Sequence, residues 1–97
     1  MELINKDNFD EKTSNGKVLV DLFANWCGPC KMLSPILEEL SNEVDYNFYK
    51  VDVDEEQEIA IKFGVMSIPT LLIFENGELK DKIVGFRTKE ELEKVLK

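Results

Sequence analysis

Val18-Leu19-Val20-Asp21-Leu22-Phe23-Ala24-Asn25-Trp26-Cys27-Gly28-Pro29-Cys30-Lys31-Met32-Leu33 is the stretch that decides how this chain folds. Its first half, Val18 to Ala24, is an apolar run broken once, by Asp21. Being apolar on both faces, Lys17 to Ala24 reads as a central strand covered by helices on either side. Downstream, Leu33, Ile36, Leu37, Leu40 and Val44 recur at spacings of three and four residues, the stripe of an amphipathic helix. Pro35 lies inside that stripe and is expected to kink it, because it removes a donor and crowds the preceding turn. Between strand and helix stand Cys27 and Cys30, the only cysteines of the chain. A strand that delivers a cysteine pair to the start of a helix points to thiol–disulfide chemistry.

At the N-cap, the Cys27 sulfur would face backbone N–H groups that have no partner inside the helix, and the positive end of its dipole. Both favour thiolate over thiol, so its pKa is expected below the free-cysteine value of about 8.5. Cys30, one turn on, should lie deeper and keep its proton longer. The expected roles follow: Cys27 attacks a disulfide, and Cys30 resolves the mixed disulfide that forms. Gly28 lets a partner backbone come close, and Pro29 starts the helix without wasting a donor. Neither carries charge, and the chain has no histidine to hold a thiolate down. A reductant is therefore expected rather than an oxidant. Zinc is the rival for a cysteine pair, but structural zinc takes four ligands and only two cysteines are present. An inert disulfide here would close too short a loop to stabilise much. No metal and no cofactor are expected.

The chain has 97 residues, sized for one domain over 1–97. Twenty acidic against twelve basic residues give a net charge of −8, which repels phosphate backbones and argues against nucleic-acid binding. No apolar run is long enough for a membrane span. Met1 to Asp7 lacks the basic start and apolar stretch of a signal peptide. A cytoplasmic monomer with reduced thiols is the expectation.

The remaining elements follow from local signals. Glu2 to Asn5 can form an edge strand. Asp7 to Thr13 reads as a short helix, with Asp7 as N-cap and Phe9 pointing inward. Tyr46 to Val53 is a strand. Asp54 with Gln57 resembles a capping box for a helix ending near Phe63, before Gly64. Thr70 to Glu75 and Glu78 to Gly85 are strands joined by Asn76-Gly77, a strong hairpin signal. Thr88 with Glu91 is a second capping box, and Leu92, Val95 and Leu96 form the inner face of a last helix. The order β-α-β-α-β-α-β-β-α predicts an α/β fold: a mixed five-stranded sheet, parallel where helices connect strands and closing in an antiparallel hairpin, with four helices on both faces.

Val20 to Met32, Gly64-Val65-Met66-Ser67-Ile68-Pro69-Thr70 and Asn76-Gly77 together resemble the thioredoxin family, in order and over essentially the whole chain. The Gly-Pro dipeptide between the cysteines separates that family from glutaredoxins and disulfide isomerases. The resemblance implies the thioredoxin fold and a protein-disulfide reductase acting on protein disulfides. It also implies recharging by a thioredoxin reductase linked to flavin and NADPH. By the same resemblance Asp21, whose burial should raise its pKa, serves as general base near Cys30. Lys50 is its neighbour on the next strand. Pro69 is cis and packs against the redox disulfide Cys27–Cys30, leaving Ile68 free to pair with an extended substrate. Substrate would contact Trp26, Gly28, Pro29, Met66, Ser67, Ile68, Val84, Gly85 and Phe86, with Gly85 allowing close approach of a partner backbone. Phe23 stands where many members have tryptophan, and Met66-Ser67 where a charged residue and glycine are frequent. A module whose partner contacts outweigh redox cycling would use the same surface.

Overall fold

A computed structural model describes residues 1–97. The elements run β1 (Glu2–Leu3), α1 (Phe9–Thr13), β2 (Lys17–Phe23), α2 (Gly28–Ser41), β3 (Asn47–Asp52), α3 (Gln57–Lys62), β4 (Thr70–Glu75), β5 (Glu78–Val84) and α4 (Lys89–Leu96). The five strands form one sheet in the order β1-β3-β2-β4-β5. β2 is central, parallel to β3 on one side and antiparallel to β4 on the other. No helix is long and apolar enough to cross a membrane.

Alternation along β2 divides its side chains between two cores. Leu19 packs with Leu33, Leu37 and Leu40 of α2 and Leu92 and Leu96 of α4. Val18, Val20 and Leu22 pack on the other face with Phe9 of α1 and Ile59 of α3. There Phe9, Phe63 and Phe74 form a ring cluster with centroids 5.4 to 5.8 Å apart. Asp21 has the parity of Leu19, so it points toward the α2 side. α2 runs unbroken through Pro35. Lys89 of α4 reaches across to α2, bonding Glu39 at 2.6 Å and Glu43 at 2.8 Å. These bonds to carboxylates hold its pKa above the usual lysine range.

The expected parallel pairing of helix-linked strands fails at β4, which runs antiparallel to β2 although α3 precedes it. β4 starts at the end of the sheet where β3 finishes: Thr70 pairs with Leu22, which pairs on its other side with Val51 near the end of β3. Three other local expectations are corrected. Asn8, not Asp7, is the N-cap of α1, and its side chain makes no cap bond. The turn is closed instead by Asn5 Oδ1, which accepts from the Asp7 and Asn8 N–H groups. Asp54 caps nothing: Glu56 is the N-cap of α3, also without a side-chain bond. Val95 is 42% exposed, leaving Leu92 and Leu96 as the inner face of α4.

Turn chemistry matches the sequence signals. Asn76 and Gly77 have φ of 50° and 85°, the left-handed pair of a tight hairpin turn. Thr88 and Glu91 form both bonds of a capping box at the start of α4. Thr88→Ala is expected to cost about 1 kcal/mol in urea unfolding while leaving redox activity unchanged.

Candidate active site

α2 begins at the end of β2 because Gly28 and Pro29 occupy its first turn and Cys27 its N-cap. The Cys27 sulfur accepts the Cys30 N–H at 3.2 Å, a cap made by sulfur where oxygen is usual. Cys27 and Cys30 are disulfide-bonded, with Cα atoms 5.3 Å apart. The sequence led us to expect a more exposed Cys27, yet each cysteine is only 4% exposed. What separates them is the cavity each one lines.

Cys27 lines an apolar groove of about 630 Å³. Trp26, Gly28 and Pro29 form one wall, and Met66, Ser67 and Ile68 another. Met66 is 97% exposed and Trp26 71%, so both offer apolar surface to solvent. The Trp26 indole N–H donates to Asp54 Oδ2 at 2.9 Å, which orients the ring and accounts for the carboxylate that does not cap α3. The Cys27 sulfur lies 3.8 Å from the Ile68 carbonyl, a contact that becomes a possible S–H donation only on reduction. The peptide bond between Ile68 and Pro69 is cis.

Sequence reasoning missed the floor of this groove: Val53, Gln57, Ala60, Ile61 and Val65. The signal was present in α3, where Ile59 and Ile61 stand two residues apart. On a helix such a pair cannot share a face, so with Ile59 buried Ile61 must turn outward, and it is 78% exposed. Val84, Gly85 and Phe86 do not line the groove. Val84 pairs with Thr70 at the end of β5, and Phe86 packs against the α2 and α4 core. Gly85 is accounted for within the chain itself. Its φ of 92° is a conformation side chains disfavour, and its N–H donates to the Pro69 carbonyl at 2.8 Å.

Cys30 lines a different cavity, of about 200 Å³, with Asp21, Phe23, Ala24, Asn25, Lys31, Ser34 and Lys50. Asp21 and Lys50 are register partners across β2 and β3, so both side chains project on the α2 side beneath Cys30. The Lys50 ammonium sits 5.5 Å from the centre of the Phe23 ring. Asp21 is 3% exposed, and its Oδ1 makes no hydrogen bond within the protein. Burial pushes its carboxyl up from 3.8 to about 7, and the positive charge of Lys50 pulls it down by less.

A redox disulfide seated between an apolar groove and a buried carboxylic acid, on this sheet, defines a protein-disulfide oxidoreductase of thioredoxin fold. The family model for thioredoxin matches residues 1–97, and the chain belongs to the thioredoxin family. It is 53% identical over 95 residues to a thioredoxin of Staphylococcus haemolyticus, covering 96% of this chain and 91% of that one. The thioredoxin of Bacillus subtilis is 52% identical over 91 residues, covering 92% and 88%. Among solved structures, a mutant thioredoxin from Halobacterium salinarum NRC-1 superposes with a TM-score of 0.93 at 38% identity, covering 98% of this chain and 86% of that one.

Between the unfolded value of 3.8 and about 7, folded Asp21 holds a proton that the unfolded chain has released. Stability contributed by this group is therefore full below pH 3.8, falls as pH rises toward 7, and stays low above it. The span corresponds to on the order of 4 kcal/mol. Asp21→Asn is expected to flatten the dependence and to be the more stable form at pH above 7, as read by urea unfolding at a series of pH values.

Proposed function

We propose that this chain reduces protein disulfides, with Cys27 as nucleophile, Cys30 as resolving thiol and Asp21 as the base that deprotonates Cys30. The supporting observation is that the two sulfurs, equally buried, line separate cavities: Cys27 the apolar groove, Cys30 the cavity holding Asp21. One can receive a substrate, and the other can lose a proton.

The Cys27 thiolate, favoured by the N–H groups and dipole at the start of α2, attacks one sulfur of a substrate disulfide. The substrate S–S bond breaks, a Cys27–substrate bond forms, and the first substrate thiolate leaves and takes a proton from water. Asp21, ionised above about pH 7, then accepts the Cys30 proton, with Lys50 favouring its charged form. The Cys30 thiolate attacks Cys27, the Cys27–Cys30 bond forms, and the second substrate thiolate departs. Two electrons have passed to the substrate. Thioredoxins act on disulfide substrates and are reduced by a reductase; for this chain we propose a flavin- and NADPH-linked thioredoxin reductase, in the cytoplasm.

An extended substrate segment would lie in the groove against Trp26, Met66, Ile61 and Ile68, its backbone beside Ile68 and Pro69. The uncharged Gly28-Pro29 pair leaves the thiolate reactive and favours reduction.

Reduction of insulin by dithiothreitol, followed by turbidity, should accelerate with the wild-type chain and not with Cys27→Ser. Cys30→Ser should accumulate as a mixed disulfide whose partners can be isolated; equal activity in both variants would overturn the roles assigned. Ile61→Asp should raise KM for a protein disulfide by about tenfold and leave reaction with a small disulfide unchanged.

A further inference from the structure

The cavity beneath Cys30 contains one hydroxyl, that of Ser34. Ser34 follows Cys30 by one helical turn, at the four-residue spacing that puts two side chains on the same face of a helix. Three other hydroxyls, inside helices or at their C-terminal ends, bond back to their own backbone. Thr13 donates to the Phe9 carbonyl at 3.0 Å, Ser14 to Glu11 at 2.7 Å and Ser41 to Glu38 at 2.7 Å. Such back-bonding is the common fate of a helical serine or threonine. Ser34 makes no such bond; its side chain lines the same space as Asp21 and Cys30.

Across that space lies Asp21 Oδ1, buried and without a partner in the protein. A buried carboxylate oxygen left without a hydrogen bond is costly. A polar space of about 200 Å³ is large enough for several waters. The charged and titratable groups facing it are Asp21 from β2, Lys50 from β3, and Cys30 and Lys31 from α2. None of them can both donate and accept once Asp21 and Cys30 are ionised. Of the uncharged lining groups, Ser34 and Asn25 can do both, and the Asn25 amide NH₂ is turned to Asp52 Oδ2 at 3.4 Å.

We propose that Ser34 is a positioning residue for the resolving step: its hydroxyl, through water in the cavity, donates toward the Asp21 carboxylate and orders the path by which the Cys30 proton reaches it. This rests on the reading of Asp21 as base. In the step, the Cys30 S–H proton passes to a water that Ser34 orients, and that water gives a proton to Asp21. The Cys30 thiolate then forms its bond to Cys27, and the Cys27–substrate bond breaks with the electron pair leaving on the substrate sulfur. Donation to the carboxylate stabilises its charged form, so loss of the hydroxyl should make Asp21 harder to ionise.

The test uses the reduced full chain and an aromatic disulfide that releases a coloured thiolate at each step. The first phase reports attack by Cys27 and the second resolution by Cys30. Ser34→Ala suits the helix, alanine being the best helix former. It should leave the first phase unchanged and move the pH midpoint of the second upward by about 0.5 to 1. On the acid side of that midpoint the second phase should slow by about threefold to tenfold, the size of one hydrogen bond. Ser34→Thr, which keeps the hydroxyl, should restore the wild-type profile. A second phase that superimposes on wild type, or equal slowing of both phases in Ala and Thr variants, overturns the inference. Asp21→Asn separates the two readings. If it abolishes the pH dependence while Ser34→Ala does not shift it, the base stands and Ser34 falls. If it leaves the dependence intact, both fall.

Discussion

β2 is hydrogen-bonded along both edges and covered by helices on both faces, and that double burial governs the rest of the molecule. A strand so enclosed has almost no freedom of register, because a one-residue slip would exchange Leu19 and Asp21 with Val18, Val20 and Leu22 between the two cores. Its end is therefore a fixed point. The chain leaves it through Asn25 and Trp26 and turns at once into α2, so the cysteine pair follows directly on a strand whose register is fixed. A redox pair on a mobile loop could approach substrates equally well, but it could not keep one sulfur in a groove and the other over a buried acid.

The same enclosure makes the acid possible. A carboxyl at a register position facing α2 has no route to bulk water except through the small cavity beside Cys30. Desolvation therefore outweighs the attraction of Lys50, and the group is held near neutrality. In stability terms this is a cost, carried by two cores that share twelve side chains with less than 2% exposure. The position is consistent with selection for chemistry over stability, since an apolar residue would pack there without penalty.

On the substrate side the design is the reverse. Gln57, Ala60 and Ile61 of α3 line the groove beside Cys27, with Val65 and Met66 just beyond the end of the helix. β4 then starts from that same end of the sheet and runs antiparallel to β2. Lys82 of β5 reaches back to secure the end of α3, donating to the Phe63 and Gly64 carbonyls at 3.1 and 3.3 Å.

Much of this was legible from residue patterns. The central strand, the helix launched at Cys27, the Asn76-Gly77 turn and the Thr88 capping box each rest on interactions within a few residues, which a linear reading can follow. The resemblance supplied Asp21 and Pro69. What was misread depended on distant partners. Asp54 had the spacing of a cap, but Trp26 competes for its carboxylate from across the site. Val84 to Phe86 read as docking surface, and the hairpin carries them beside Pro69, next to the groove and outside its lining. By itself, then, the sequence determined the elements, the sulfur chemistry and the buried acid, because propensity, capping and the hydrophobic pattern are local. Only the tertiary structure decided which cavity each sulfur lines, and that Ser34 shares one with Asp21, because those facts are set by how strands and helices far apart in sequence pack.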